Sequence, residues 1–312
     1  ADMPSVQPMG AGRLVAHWLQ RSGEATYAYD VVVTQSLDGG ESWSDPVRPH
    51  DDGTQTEHGF VSMVPDEAGT RLIWLDGRKT TNERTDNPLD TGMTVRTALI
   101  NDSSELTNEG LLDDLACDCC QTDMAIAASG PIAVYRDRTP NEIRDIAVTR
   151  LVDGEWQEPV RLFDDGWEIP GCPVNGPKVV AAGNFVAIAW FTAAGGEPAV
   201  KLAMSSNGGV TFSSITEIER GHVVVQVGLV PLSETEVGVS WMHKESGQSP
   251  EVRVQRIDIE GQTGDVHVVT RGLKSRSVPQ LGVSGGELVF VWTESRDGSQ
   301  SIHSARLSIA AL

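Results

Sequence analysis

All four cysteines of the chain lie in two short segments, Cys117-Asp118-Cys119-Cys120 and Gly171-Cys172-Pro173. Strand packing gives no reason to crowd three thiols into four residues, because one small apolar side chain would fill each space. Thiols at this density serve metal ligation, a disulfide or a reactive thiolate. Cys117, Cys119, Cys120 and Cys172, joined by the imidazoles of His58 and His222, are the types that hold a soft or borderline ion. The expected ion is copper in preference to zinc. The Cys-x-Cys-Cys spacing matches no standard zinc motif, and dense thiolate suits the softer metal. On an extended strand Cys117 and Cys119 point one way and Cys120 the other, so all three reach one ion only from a bulge or an entry loop. The alternative is no metal but a disulfide from the cluster to Cys172, leaving two thiols or a vicinal Cys119–Cys120 bridge.

A second set of residues offers different chemistry. Asp76, Asp137 and Glu294 each follow an aromatic residue at the same distance (Trp74, Tyr135, Trp292), and Arg78 and Arg138 stand one or two residues beyond the first two. A carboxyl as acid or base, with Arg78, Arg138, Arg276 and Arg296 (two residues beyond Glu294) gripping a carboxylate, would suit a glycoside hydrolase acting on an acidic sugar. The competing reading is salt bridges that tie loops together.

These residues are far apart in number, so the fold must gather them. Aromatic residues close an apolar run at Trp18, Trp74, Tyr135, Trp190, Trp241 and Trp292, about 51 to 61 residues apart, a propeller-like period. Around each lie three or four short strand-like runs separated by turn residues, and no segment shows capped helical periodicity. The expectation is an all-β chain, a six-bladed β-propeller of four-stranded antiparallel blades, as one domain over 1–312. The blades fall near 5–50, 58–113, 117–165, 171–219, 221–270 and 275–312, and the last has only three evident strands. Up-and-down connectivity puts strand-one starts and strand-two ends at one mouth of a central channel. That would bring His58, the cysteines, His222 and Arg276 to the same rim as Asp76, Asp137 and Glu294.

Ser36-Leu37-Asp38-Gly39-Gly40-Glu41-Ser42-Trp43 has the Asp-box form Ser-x-Asp-x-Gly-x-x-Trp, with a worn copy at Ser205–Phe212 and a shortened one at Asp153-Gly154-Glu155-Trp156. The box predicts a hairpin whose Asp accepts turn N–H groups, whose Gly takes positive φ and whose Trp plugs the space between blades. On these motifs the chain resembles the sialidase-like, bacterial neuraminidase-repeat superfamily of six-bladed propellers. That resemblance implies the fold and a hydrolase's substrate class, a small molecule or an anionic carbohydrate. It does not imply conventional sialidase catalysis. The family's Arg-Ile-Pro of the first blade is Ser5-Val6-Gln7-Pro8 here, and the late nucleophilic tyrosine is missing, the only tyrosines being Tyr27, Tyr29 and Tyr135.

Composition sets the remaining bounds. A net charge of −20 repels nucleic acid and anionic membrane. The most apolar stretch, from Val179 to Ala194, is broken by Gly183-Asn184 and is too short for a span. Walker, dinucleotide and Gly-x-Ser-x-Gly motifs are absent, and Asp51-Asp52-Gly53 and Asp164-Asp165-Gly166 read as turns. A start at Ala1-Asp2 without an initiator Met fits a chain freed from a signal peptide or one trimmed at its start, and the expectation is a secreted or periplasmic monomer.

Overall fold

The computed structural model describes residues 4–81, 87–213, 215–273, 279–296 and 299–312. The fold is all-β, of the six-bladed propeller class, with six small antiparallel sheets that follow one another along the chain. Two compact units hold three sheets each, Ala1–Ile126 with Pro131–Gly176, and Ala127–Gly130 with Pro177–Leu312.

In the first unit, β1 (Ser5–Gly10), β2 (Arg13–Arg21) and β3 (Tyr29–Ser36) form the first sheet. The second holds β4 (His58–Asp66), β5 (Gly69–Asp76), β6 (Met93–Ile100) and β7 (Leu106–Ala116). The third runs β8 (Asp123–Ala127), β9 (Gly130–Arg136) and β10 (Ile146–Val152), with β11 (Glu155–Trp156) and β12 (Val160–Arg161) both paired to β10. β5 explains how the sheets stack. Its residues are buried throughout, so the strand reads as a continuous apolar run rather than an alternation. Leu72 and Trp74 pack toward Val15, Val31 and Val33 of the first sheet. Ile73 and Leu75 face Met124, Ala133 and Tyr135 of the third. Each such side chain fully buried is worth about 1.5–3 kcal/mol.

In the second unit, β13 (Lys178–Ala182), β14 (Phe185–Thr192), β15 (Ala199–Ser205) and β16 (Thr216–Arg220) make one sheet. Another holds β17 (Val223–Pro231), β18 (Glu236–His243), β19 (Glu251–Asp258) and β20 (His267–Arg271). β21 (Gln280–Ser284), β22 (Glu287–Arg296) and β23 (Ser299–Ser308) make the last. Val230, Met242, Val252 and Val254 meet Leu288, Phe290 and Trp292 between the last two sheets. The six periodic aromatics all fall on the second strand of a sheet, and all but the half-buried Trp18 are buried.

Strand number departs from the uniform four. In the first sheet the returning chain makes a single bridge, Val33–Val47, with the Ser44 N–H donating to the Gln35 carbonyl at 2.8 Å beside it. The third sheet gains a strand because Asp153 and Gly154, at φ 52° and 85°, make a two-residue hairpin turn. Asp153–Trp156 is therefore a hairpin of its own and not a shortened Asp-box.

The Asp-box itself forms. The Ser36 hydroxyl donates to Asp38 Oδ1 at 2.8 Å and accepts the Gly40 N–H at 2.8 Å, while the Ser42 N–H donates to Asp38 Oδ1 at 2.9 Å. Hydrogen bonds from Ser42 and Ser36 hold the Asp38 carboxyl down at about 2. Ser205, Asn207 and Thr211 repeat the pattern, an amide oxygen standing in for the carboxylate. Trp43, expected to plug the gap between blades, is instead 41% exposed. Two further sheets use the same latch under other sequences: Asn101 accepts the Glu105 N–H and Asp258 accepts the Gln262 N–H, each four residues on.

Candidate functional site: a buried thiol pair beside a disulfide

In the first unit the chain leaves β7 and turns at once through Cys117–Cys120, where the Cys117 N–H donates to the Arg136 carbonyl at 3.0 Å. The three sulfurs of this turn lie within 4.8 Å of one another, as an entry loop allows and a flat strand does not. Cys119 is disulfide-bonded to Cys172 across a Cα–Cα distance of 6.0 Å. Cys117 and Cys120 are free, 0% and 1% exposed, with their Sγ atoms 2.6 Å apart. The free pair thus has Cys-x2-Cys spacing, hidden in the sequence by the cysteine between them.

Cations surround the sulfurs. Arg144 Nη1 donates to Cys117 Sγ at 3.3 Å. Arg136, 1% exposed, donates to the carbonyls of Asn175 at 2.8 Å and Arg144 at 2.6 Å, and its guanidinium lies 4.8 Å from the Trp167 ring centroid. Hydrogen bonding from Cys120, aided by Arg144 against the pull of burial, pushes the Cys117 thiol down. Burial, and then its neighbour's thiolate, pushes Cys120 up. The Arg144 contact thus favours Cys117 over Cys120 as the thiolate of the pair.

The Cys172 loop is pinned to this turn by backbone as well as by sulfur. The Gly176 N–H donates to Gln121 Oε1 at 3.0 Å, and a Cβ on Gly176 would stand 2.0 Å from the Gln121 carbonyl oxygen. Val174 holds φ at 53°, a conformation a β-branched residue adopts only under constraint. Gly176→Ala is expected to cost about 1–3 kcal/mol by overpacking, and to lift Cys172 away from Cys119. Urea unfolding together with the yield of the Cys119–Cys172 crosslink measures both effects.

His58 is placed elsewhere in the first unit, among carboxylates. It pairs with Asp76 across the β4–β5 ladder, and its Nδ1–H donates to the Tyr29 carbonyl at 3.1 Å. Its Nε2 is 3.0 Å from Asp52 Oδ2 and 3.7 Å from Asp76 Oδ2. His50 stacks on it with ring centroids 3.8 Å apart and planes 1° from parallel. His50 Nε2 accepts the Val31 N–H at 3.3 Å, and Nδ1 faces Asp52 at 3.3 Å. Parallel stacked rings cannot aim both in-plane lone pairs at one ion, so His50 and His58 are not a ligand pair, whereas Asp52, His58 and Asp76 bring three ligand-type atoms within 4.8 Å of one another. Burial, reinforced by His58, lowers His50 to about 4, which Asp52 only partly offsets. Burial would raise Asp52 and Asp76. The Thr54 donors on Asp52, and the bidentate Arg78 with His58 and Trp74 on Asp76, outweigh it and hold both carboxyls below their ordinary value. His50, Asp30, Arg48 and Arg21 help line an open cleft of about 910 Å³. Asp52, which reads as a turn residue, and His50 lie in a loop that carries no repeat motif, so nothing in the spacing marks them as partners of His58.

The second unit repeats one theme. The Trp241 indole N–H donates to Glu219, which also holds His243 Nδ1, much as Trp74 donates to Asp76 beside His58. His222 lies against His243, centroids 5.5 Å apart. Among the described residues, no grouping of metal-ligand type joins a histidine to the cysteines.

The carboxylate and arginine set is mostly tied up. Asp76 is 0% exposed and chelated by Arg78 at 2.7 and 2.9 Å. Arg138 is shared by Asp118 at 3.1 Å and Glu142 at 2.6 Å. Glu294 faces His303 at 3.5 Å, and Arg276 lies outside the described residues. Asp137 is half-buried, and burial followed by the nearby Asp113 raises it to about 6. Tyr135 donates to Asp113 at 2.6 Å but is 0% exposed, so its hydroxyl is closed to any substrate.

No family model and no curated protein matches the chain. Solved structures do. The NanB sialidase of Streptococcus pneumoniae aligns over 99% of this chain and 68% of its own, with a TM-score of 0.59 at 11% identity. The Trypanosoma rangeli sialidase aligns over 98% and 54%, with a TM-score of 0.56 at 9% identity. The α-L-arabinofuranosidase Arb93A of Fusarium graminearum aligns over 99% and 93%, with a TM-score of 0.57 at 12% identity. The fold is therefore sialidase-like, and at these identities the likeness concerns the fold alone. Among the described residues, no helix is long and apolar enough to cross a membrane.

Proposed function

We propose, taking the sialidase-like propeller as the premise, that the working group of this protein is a copper(I) site on Cys117 and Cys120. The observation that carries the reading is a free, buried Cys-x2-Cys pair with Arg144 on one sulfur and Arg136 behind it. Two thiolates on a monovalent ion leave one negative charge, and a buried guanidinium compensates it. Zinc wants four ligands, whereas Cys119 and Cys172 are bonded to each other and His58 sits among carboxylates. The disulfide supports a secreted or periplasmic site of action. Competition against a chromophoric copper(I) chelator, with ascorbate under nitrogen, tests it. One equivalent should be retained, and Cys117→Ser or Cys120→Ser should weaken binding by more than about 100-fold, the upper end of what losing a supporting group costs. Equal retention by the double variant would sink the reading.

A glycoside hydrolase acting on an acidic sugar is the second reading. It is supported by the glycosidase neighbours and by Asp137, a carboxyl raised to about 6 as a general acid requires. Against it, Arg78 and Arg138 already hold carboxylates of the chain. Turnover of a fluorogenic sialoside that is lost in Asp137→Asn would favour it.

A further inference from the structure

We infer that the four cysteines form a thiol–disulfide relay, in which Cys172 exchanges with small thiols and disulfides and passes the bond inward to Cys117 and Cys120. Accessibility runs in one direction along the cluster. Cys172 is exposed, Cys119 is half-buried, and Cys117 and Cys120 are closed to solvent. An external disulfide can therefore meet only the outer end. Sulfur then neighbours sulfur the whole way, because Cys119 is bonded to Cys172 and its Sγ lies within 4.8 Å of those of both Cys117 and Cys120. A structural crosslink has no use for two more thiols at its inner end.

The steps balance within the chain. From the reduced state, the Cys172 thiolate attacks a small disulfide, forms a mixed disulfide and releases one thiolate. Cys119 displaces the second small thiolate and closes Cys119–Cys172. Cys117 then attacks Cys119 Sγ, so that Cys117–Cys119 forms and Cys172 leaves as a thiolate that takes a proton from water. Cys120 finally attacks Cys117 Sγ, closing Cys117–Cys120 and freeing Cys119. The two electrons lost by the protein reduce the small disulfide, and run in reverse the sequence reduces it again. The relay shares its sulfurs with the copper reading: with the disulfide outside the inner pair is free to bind, and with it inside the pair is closed. Because the test uses metal-free protein, either idea can fail alone.

Reduced, metal-free protein is mixed with glutathione disulfide, quenched with acid at intervals, alkylated and mapped by mass spectrometry. Glutathione should appear first on Cys172, followed by Cys119–Cys172 and later Cys117–Cys120. In Cys172→Ser, formation of Cys117–Cys120 should slow by at least about tenfold, because the buried sulfurs lose their point of entry. In Cys119→Ser, the mixed disulfide should persist on Cys172 with no inner bond, a result read on chain shown folded by circular dichroism. Oxidation of the inner pair at the wild-type rate in either variant, or first attachment of glutathione at Cys117 or Cys120, would overturn the relay.

Discussion

Arg136→Met is expected to destabilise the protein by about 3–5 kcal/mol, the range for removing one member of a buried charged network. Methionine fills the volume and removes the charge, so cavity formation is a minor part of the loss. The Asn175 and Arg144 carbonyls that Arg136 now bridges would each lose a charged donor. The guanidinium on the Cys120 side of the cluster would go as well, along with its contact with Trp167. Arg136→Lys should fall between the two, since a single ammonium cannot span both carbonyls and lie flat on the indole. Urea midpoints at unchanged slope give the comparison, and a loss below about 1 kcal/mol for the methionine variant would contradict this account.

His50 should make the first unit sensitive to acid well before ordinary carboxylates titrate. His50 has an ordinary value of 6.5 when unfolded and is lowered to about 4 when folded, so between those pH values the unfolded chain binds the extra proton. The His50 contribution to stability is thus full above about pH 6.5 and is lost, by roughly 3 kcal/mol, as the pH drops to about 4. Asp137, raised to about 6 on folding, contributes with the opposite sign as the pH falls below its folded value. Asp52 and Asp76, both depressed on folding, contribute stability above their unfolded values that is lost as the pH falls further. His50→Gln should remove the His50 loss and leave the lower limb. Thermal midpoints of the wild type and of this variant, compared across pH 7 to about 3, test the sign; a difference between the two that does not change from pH 7 to about 4 would be inconsistent with a buried neutral His50.

The aromatic period made the repeat legible because each second strand is interior, so its closing aromatic is fixed by packing on both faces. Trp74 and Trp190, both 0% exposed, are the clearest cases. The Asp-box was legible where its spelling is intact at Ser36–Trp43, whereas the latches at Asn101 and Asp258 passed unseen because only one side-chain oxygen and a bond four residues on are needed. The crowded thiols marked the site, but their partners did not follow from spacing. Grouping by rim put His58 with the sulfurs, yet its neighbours Asp52 and His50 arrive from a loop that no repeat pattern encodes. The arginines after the aromatics suggested a grip on substrate; Arg78 and Arg138 instead serve carboxylates of their own chain, a choice made by contacts remote in number.

The worn Asp-box has a bearing on how the molecule ages. Asn207-Gly208 and Asn175-Gly176 are the dipeptide most prone to deamidation, in which the glycine nitrogen closes on the asparagine side chain to form a succinimide. In both, that nitrogen is already committed, Gly208 to the Asn184 carbonyl at 2.8 Å and Gly176 to Gln121 Oε1 at 3.0 Å. Ring closure must first break those bonds, so folding itself protects the two chemically weakest points of the chain.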